Sequence, residues 1–281
     1  MPSLFASLLN VLKGVVLAGL YGAVACVAGT SHNDRWADRP AVIYTPTQMP
    51  AFGTRAMVVV LHGGLGNPQR IAGQHSESGL NFNALADTGG FVVAYLSGTP
   101  VARGLSSERL GWNAGNCCGV PASERRDDVG YVQAAVQQIA AHYGVNQLRV
   151  FGVGHSNGAM LTQRLMCETS LLAAVVAVSG GLENGAVKCP AAQGKRILGL
   201  HGEQDRNVPI EGGRGKGLSR VVFQSERQTS QVWSDSGAQY ILQVIPRADH
   251  AVESLDAAIQ EQEGVNLAQK ALLFFGLPLS P

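Results

Sequence analysis

The sequence predicts an α/β fold in which helices cover both faces of a mostly parallel central sheet. Strand-like apolar runs and helix-like segments alternate along the 281 residues, without a repeat, a low-complexity break or a block of like charge. Apolar runs that alternate with helices are typical of parallel sheets, because both faces of such sheets are covered. We expect residues 29–281 to form a single domain.

The first 28 residues are predicted to be a signal peptide or an N-terminal anchor. Residues 14–28 are almost wholly apolar and follow Lys13, a pattern typical of a signal peptide. Residues 23–25 offer a small-residue cleavage site. Two alternatives stay open: an uncleaved membrane anchor that includes residues 4–12, and a lipoprotein lipidated at Cys26. The chain is expected to be exported, as a secreted or periplasmic protein or, in the lipoprotein alternative, as an anchored one.

Residues 149–166 predict the element that carries the chemistry. An apolar run ends in Gly154-His155-Ser156-Asn157-Gly158, and a helical pattern follows. Gly-x-Ser-x-Gly between a strand and a helix is the pattern of a nucleophile elbow, a turn too sharp for side chains at the two glycines. We therefore predict that Ser156 is a nucleophile and that the N–H of Asn157 faces the same point.

A serine nucleophile needs a neighbouring base, and the base needs a carboxylate that fixes its tautomer. In folds with this elbow the acid follows the serine and the histidine follows the acid. Strand-like residues 196–200 lead into a loop that holds Asp205, the predicted acid, with Glu203 as its rival. His201, at the end of that strand, is expected to brace the loop.

The predicted base is His250. It follows the strand-like residues 240–245 and precedes a helical pattern. A loop histidine at this place can reach Ser156. Its neighbour Asp249 is interpreted as a helix cap rather than as its partner.

The oxyanion formed when a serine attacks a carbonyl needs a second N–H donor besides that of Asn157. This donor is expected from the loop after an early strand. Residues 57–61 predict that strand, and a glycine-rich loop follows it. The N–H of Gly64 is the first choice and that of Leu65 the second. His62 is expected to be structural, under the loop.

Three helices have their own signals. Asp127 or Asp128 is predicted to open a helix that Gly144 ends. Loose helical spacing predicts a second helix over residues 219–234. A longer pattern predicts one final helix over residues 252–275.

The cysteine pattern fits an exported chain. Without Cys26, four cysteines remain, an even number that suggests disulfides. Cys167 and Cys189 are placed where they could meet. Cys117 and Cys118 would then form a vicinal pair or remain as buried free thiols.

Composition and motifs also exclude several function classes. The formal net charge is +1, which does not predict a nucleic-acid surface or an acidic-membrane surface. There is no phosphate-binding loop, no dinucleotide fingerprint and no metal spacing among the histidines, so no cofactor and no metal are implied. A membrane contact is expected only through the N-terminal segment.

Several segments together resemble one family. They are Gly-Trp-Asn-Ala-Gly-Asn-Cys-Cys-Gly at 111–119, residues 127–131, 154–160 and 201–205, and Val-Pro-Ile-Glu-Gly-Gly at 208–213. The chain resembles the secreted polyhydroxybutyrate depolymerase-like esterases, which are related to the feruloyl and acetylxylan esterases of carbohydrate esterase family 1. This resemblance implies an α/β-hydrolase fold and a triad of Ser156, Asp205 and His250. It also implies that the Trp112 loop contributes to the substrate pocket, although Trp112 could equally be a core aromatic.

The predicted activity is therefore hydrolysis of a small or oligomeric carboxylic ester. Many family members follow the histidine with Trp-Pro-Gly, whereas here residues 251–254 continue into a helix, which favours short acyl or hydroxyalkanoate esters over feruloyl or xylan esters. An acyltransferase or peptidase on the same triad, and an envelope lipoprotein that only binds a ligand, are the alternatives. The glycine-rich residues 212–217 are a candidate mobile segment.

Overall fold

The structure, a computed structural model, describes residues 28–104, 108–217 and 221–279. Within these ranges the strands are β1 Thr30–Trp36, β2 Arg39–Thr45, β3 Arg55–Leu61, β4 Val92–Leu96, β5 Thr99–Pro100, β6 Leu110–Gly111, β7 Val145–His155, β8 Ala174–Val178, β9 Arg196–Gly202, β10 Gly213–Arg214, β11 Val222–Phe223 and β12 Gln239–Ile245. The helices are α1 Pro68–Ala72, α2 Asn83–Gly89, α3 Gly119–Ser123, α4 Asp128–Tyr143, α5 Asn157–Glu168, α6 Glu226–Asp235, α7 Val252–Glu263 and α8 Leu267–Phe275.

Eight strands form the central sheet, in the order β1-β2-β4-β3-β7-β8-β9-β12. The pairs β1–β2 and β2–β4 are antiparallel, and the strands from β4 to β12 run parallel. The prediction of a mostly parallel sheet is confirmed. Because β7, β9 and β12 share one direction, the residues that follow them meet at one edge of the sheet.

Two hydrophobic clusters cover the two faces of this sheet. Along β4, Ala94 and Leu96 belong to one cluster, and Val93 and Tyr95 belong to the other, as the two-residue period of a strand requires. Buried residues of α4, α5 and α6 pack into the first cluster, and those of α2, α7 and α8 pack into the second. Helices therefore lie on both faces, as predicted.

The helix α4 begins and ends where the sequence predicts. The Asp127 carboxylate accepts a hydrogen bond from the N–H of Gly130 at 2.8 Å, which satisfies one of the free donors of the first turn. Gly144 has the left-handed conformation, with φ of 63°, and ends the helix.

Two other helix predictions are wrong in their bounds. The helix expected over residues 219–234 begins only at Glu226, because Ser225 caps it and the two residues of β11 are extended; residues 219 and 220 lie outside the described ranges. The single final helix is two helices. Gly264, with φ of 72°, ends α7, and Asn266 opens α8 with a reciprocal capping interaction.

The cysteines are paired in the structure. Cys167 at the end of α5 is bonded to Cys189, with an S–S distance of 2.04 Å, so the two cysteines that the sequence allows to meet are joined. Cys117 and Cys118 form a vicinal pair, which is the first of the two predicted alternatives.

The predicted signal peptide or anchor, including Cys26, lies outside the described ranges except for its last residue. Among the helices that the structure describes, none combines the length and the hydropathy that crossing a membrane requires.

Candidate active site

The segment between β7 and α5 turns sharply at Ser156, which has φ of 51° and ψ of −120°. A Cβ on Gly154 would lie 2.4 Å from the carbonyl oxygen of Gly158, and a Cβ on Gly158 would lie 2.2 Å from that of Leu61. Neither position has room for a side chain. The two glycines thus allow the turn that lifts the Ser156 hydroxyl above the sheet edge.

Three side chains that the sequence predicts as a set are brought together at this edge. Oγ of Ser156 lies 3.0 Å from Nε2 of His250, and Nδ1 of His250 lies 2.7 Å from Oδ2 of Asp205. The serine comes from the end of β7, the aspartate from the loop after β9 and the histidine from the loop after β12. The rival acid Glu203 is exposed and accepts a hydrogen bond from the N–H of Arg247 instead.

Asp205 is buried and fully engaged by donors. Its Oδ1 accepts hydrogen bonds from the N–H groups of Asn207 and Val208, at 2.8 and 2.9 Å. Burial works to raise the pKa of Asp205, but the hydrogen bonds from His201 and His250 outweigh it and hold that pKa well below its usual range. Asp205 is therefore ionised at neutral pH and is suited to orient the His250 ring.

His201 lies behind Asp205 and contacts three acceptors. Its Nδ1 lies 2.9 Å from Oε1 of Glu226, and its Nε2 lies 2.8 Å from the carbonyl oxygen of Val208 and 3.2 Å from Oδ2 of Asp205. Burial lowers the pKa of His201, yet the two carboxylates raise it to about 10. These contacts fit the bracing role predicted for His201.

Gly64 and Asn157 line the same cavity as Ser156. Asn157 is the first residue of α5, where free N–H groups and the helix dipole favour negative charge. Gly64 lies opposite, and a Cβ built on it would be 3.9 Å from the Cβ of Asn157. The N–H of Leu65, the second choice, donates to the carbonyl of Leu110 at 2.7 Å. Gly64 therefore remains the better candidate for the second donor.

Trp112 is not a pocket side chain, and that prediction is corrected. Its ring is fully buried and lies in a stacked orientation beside the Tyr131 ring. The Nε1–H of the ring donates a hydrogen bond to the carbonyl oxygen of His62 at 2.9 Å. Its backbone instead holds the side chain of Asn157: the Trp112 N–H donates to Oδ1 at 2.7 Å, and the Trp112 carbonyl accepts from Nδ2 at 3.1 Å. This packing fits the structural role under the loop that the sequence predicts for His62.

A cavity of about 540 Å³ opens beside Ser156 and His250. Apolar side chains form much of its wall, and the Trp112 loop contributes the vicinal pair Cys117 and Cys118 rather than the tryptophan. The other apolar side chains are Leu65, Val101, Met160, Val208 and Phe223. Neither lysine nor arginine lines the cavity among the residues that the structure describes. Such a cavity suits an uncharged, mainly apolar group.

Sequence reasoning missed one buried pair next to the site. Nδ1 of His155 lies 2.5 Å from Oε1 of Glu77, and Nε2 of His155 lies 2.8 Å from the carbonyl oxygen of His250. The same Glu77 oxygen accepts a hydrogen bond from the N–H of Gly63 at 2.9 Å. His155 was visible as the variable residue of the elbow motif, but Glu77 lies in an irregular loop that carries no periodic signal.

The glycine-rich segment predicted to be mobile is partly ordered by contacts. Gly213 and Arg214 form β10, which pairs with β11. Gly215 packs so closely on the Asn207 carbonyl that a Cβ there would lie 1.8 Å from it, and Gly217 lines the cavity. Mobility of this segment stays a prediction.

Two curated sequences are similar to part of the chain, while no family model matches it. "Putative esterase NocK" of Nocardia uniformis subsp. tsuyamanensis is 30% identical over 162 residues, which are 56% of this chain and 42% of that protein. "Feruloyl esterase B" of Piromyces equi is 28% identical over 151 residues, which are 52% of this chain and 25% of that protein. The similar segment spans less than half the length of either relative.

Solved structures match more of the chain. The acetyl xylan esterase from Aspergillus awamori has a TM-score of 0.56 and 16% identity, covering 89% of this chain and 99% of that one. An S-formylglutathione hydrolase from Agrobacterium tumefaciens has a TM-score of 0.55 and 13% identity, covering 86% and 94%. At these identities the likeness concerns the fold. The chain has the α/β-hydrolase fold, as the sequence predicts.

Proposed function

We propose that the chain is a serine esterase that hydrolyses carboxylic esters through an acyl-enzyme. The observation that carries this proposal is the hydrogen-bonded chain from Ser156 through His250 to Asp205 at the mouth of a mainly apolar cavity. The similar segments of two relatives, both named as esterases, support the same reaction class.

In the first step Oγ of Ser156 attacks the ester carbonyl carbon while Nε2 of His250 takes the hydroxyl proton. The carbonyl oxygen becomes an oxyanion, which the N–H groups of Asn157 and Gly64 stabilise. His250 then gives its proton to the leaving alcohol, and the acyl group remains on Ser156. In the second step water attacks the acyl carbon, His250 takes and returns a proton, and the acid leaves.

The substrate is an ester with a short acyl chain or a hydroxyalkanoate oligomer. The cavity beside Ser156 is lined by the vicinal cysteines and by the side chains of Met160, Val208 and Phe223. This apolar wall supports the polyhydroxybutyrate depolymerase-like specificity that the sequence motifs suggest.

The second candidate is a feruloyl esterase. It is favoured by the similarity of 151 residues to Feruloyl esterase B. The residues that follow His250 argue for the first candidate, because they enter α7 directly and leave no loop over the alcohol side of the site.

Export belongs to the same proposal. The disulfide between Cys167 and Cys189 joins α5 to the loop after β8, and disulfides persist mainly in oxidising compartments. The N-terminal 28 residues would direct that export. Detection of the mature chain in the periplasm or the medium, with a new N terminus near residue 26, would support it, and an intact N terminus in the cytosol would contradict it.

The activity is tested with p-nitrophenyl esters from acetate to decanoate, soluble hydroxybutyrate oligomers and methyl ferulate, each with the wild type and Ser156→Ala. We expect hydrolysis of short esters and oligomers that the substitution abolishes. Preference for methyl ferulate would favour the second candidate. The proposal would be wrong if no ester were hydrolysed in a Ser156-dependent way.

A further inference from the structure

A second buried group lies next to Ser156, His250 and Asp205. It is the Glu77–His155 pair, defined as these two side chains joined by a hydrogen bond. Both side chains are mostly buried, with 10% of His155 and 13% of Glu77 exposed, yet the proposed reaction uses neither of them. Burying two ionisable groups is costly unless they are paired and hydrogen-bonded.

Both ring nitrogens of His155 face oxygen acceptors. Nδ1 faces the Glu77 carboxylate and Nε2 faces the main-chain carbonyl of His250. A carbonyl oxygen can only accept, so Nε2 carries a proton, and a carboxylate beside Nδ1 favours a second proton there. The contacts therefore fit an imidazolium that is held between a carboxylate and the main chain of His250.

Electrostatics support the charged form of the pair. Burial works to raise the pKa of Glu77 and to lower that of His155, but their mutual hydrogen bond and charge reverse both effects. The pKa of Glu77 is held below its usual range and that of His155 above its usual range. The ring centroids of His155 and His250 are 4.9 Å apart, so a positive charge on His155 acts directly on His250.

We propose that His155, charged by Glu77, is a positioning residue that fixes the main chain of His250 and keeps the His250 ring unprotonated in mildly acidic solution. This inference rests on the proposed function, in which His250 must be neutral to take the proton of Ser156. Glu77 also holds the N–H of Gly63, next to the proposed oxyanion donor Gly64. One buried carboxylate thus connects the loop of the base to the loop of the oxyanion site.

Other titratable groups lie on the segments that adjoin the loop of His250. They are His201 in β9, Asp205 in the loop after β9, Glu226 at the start of α6, the exposed neighbour Asp249, and Glu253 and Asp256 on α7. Burial lowers the pKa of His250, the bond to Asp205 raises it, and the charges of His155 and His201 lower it further, so that the net direction is downward. The test below leaves Asp205 and His201 unchanged, so a shift of the His250 pKa in that test reports the effect of the Glu77–His155 pair.

The test compares the wild type with His155→Gln and with the double variant Glu77→Gln/His155→Gln. The first removes the cation and leaves a buried carboxylate, whereas the second replaces a charged pair by a neutral one of similar size. The acidic limb of kcat/KM against pH reports the pKa of the base in the free enzyme. We expect the limb to move to higher pH by about half a unit to one unit in the double variant, and further in His155→Gln.

A role in packing alone would lower kcat and leave the limb in place. An unchanged limb in the double variant, or a limb that moved to lower pH, would overturn the inference. If His155→Gln fails to fold, the double variant alone decides, because it buries no unpaired charge.

A second readout does not depend on turnover. Histidine NMR titration of the same proteins follows His250 directly and should show the same upward shift of its pKa. A chain that hydrolyses no ester would contradict the proposed function, while this titration would still decide whether the pair acts on His250. Equal His250 pKa values in the wild type and the double variant would overturn the inference by this readout as well.

Discussion

At the scale of single residues, Asp205 carries more of the site than its one bond to His250 suggests. Its two oxygens accept from two backbone N–H groups, from His250 and from His201. Each of these donors favours the ionised form. The result is an acceptor that keeps the proton of His250 on Nδ1 and leaves Nε2 free for Ser156.

Replacing Asp205 by Asn should lower kcat by about 10³- to 10⁴-fold, because the amide no longer favours that tautomer or stabilises the imidazolium. Steady-state hydrolysis of a short p-nitrophenyl ester measures the loss. Glu203→Gln, which changes the exposed rival carboxylate in the same loop, is the matched control and should keep the wild-type rate. A large loss in the control together with a small one in Asp205→Asn would reverse the assignment of the acid.

The burial of Glu183 predicts that the stability of the protein depends on pH. Burial raises the pKa of Glu183 to about 7, against 4.5 for an ordinary Glu, although the N–H of Gln224 donates to it at 2.9 Å. Between these two values the folded state holds a proton that the unfolded state has lost. The free energy of unfolding should therefore fall as the pH rises through this window.

Glu183→Gln keeps an acceptor for Gln224 and removes the titration. Urea unfolding at pH 5 and pH 7.5 should show a decline in the wild type that is larger by about 1 to 3 kcal/mol than in the variant. The same decline in both proteins would show that Glu183 is not the group responsible.

The residues of the hydrogen-bonded chain could be predicted because their signals are local. Ser156 lies in a motif between a strand and a helix, and Asp205 and His250 each follow a strand in the order that the fold requires. Glu77 could not be predicted, since it lies 78 positions from His155 and only the folded chain brings them together. Trp112 was ambiguous because an aromatic in a specific loop can line a pocket or fill the core.

At the scale of elements, the elbow between β7 and α5 depends on the absence of side chains. Gly158→Ala would place a Cβ 2.2 Å from the Leu61 carbonyl oxygen, a contact that only backbone movement can relieve. We expect a loss of about 1 to 3 kcal/mol in stability and a large loss of esterase rate, because Ser156 moves with the turn. Thermal unfolding and ester hydrolysis measure the two effects.

Gly185→Ala is the control for backbone strain. Unlike Gly158, Gly185 has a positive φ, 72°, and no atom lies within 4 Å of its added Cβ. This variant should lose about 1 kcal/mol and keep the wild-type rate. Equal rates in both alanine variants would mean that the elbow tolerates a side chain at residue 158.

Element types were predicted better than element bounds. The strands that lead to the site and the helix α4 were evident from apolar runs and caps. The split between α7 and α8 was missed, because apolar residues on both sides of Gly264 continue one helical pattern and only the left-handed glycine and the Asn266 cap interrupt it. The late start of α6 was missed because β11 has only two residues, too few to show the alternating pattern of a strand.

At the scale of the whole molecule, the bond between Cys167 and Cys189 joins segments 22 positions apart. Closing a loop of that length should contribute about 3 kcal/mol by restricting the unfolded chain. The variant Cys167→Ala/Cys189→Ala should lose that much in guanidinium unfolding. The wild type in reductant should become equally unstable, and equal stability of wild type and variant under oxidising conditions would contradict a structural role for the bond.

The most direct test of the central claim is intact-mass and peptide mass spectrometry after treatment with a fluorophosphonate, a reagent that reacts with activated serine hydroxyls. Ser156 is predicted to react because His250 removes its proton and the N–H groups of Asn157 and Gly64 hold the phosphonyl oxygen. The wild type should gain one adduct, located on Ser156, and Ser156→Ala should gain none. An unlabelled wild type, or equal labelling of Ser156→Ala, would contradict the assignment of Ser156 as the nucleophile.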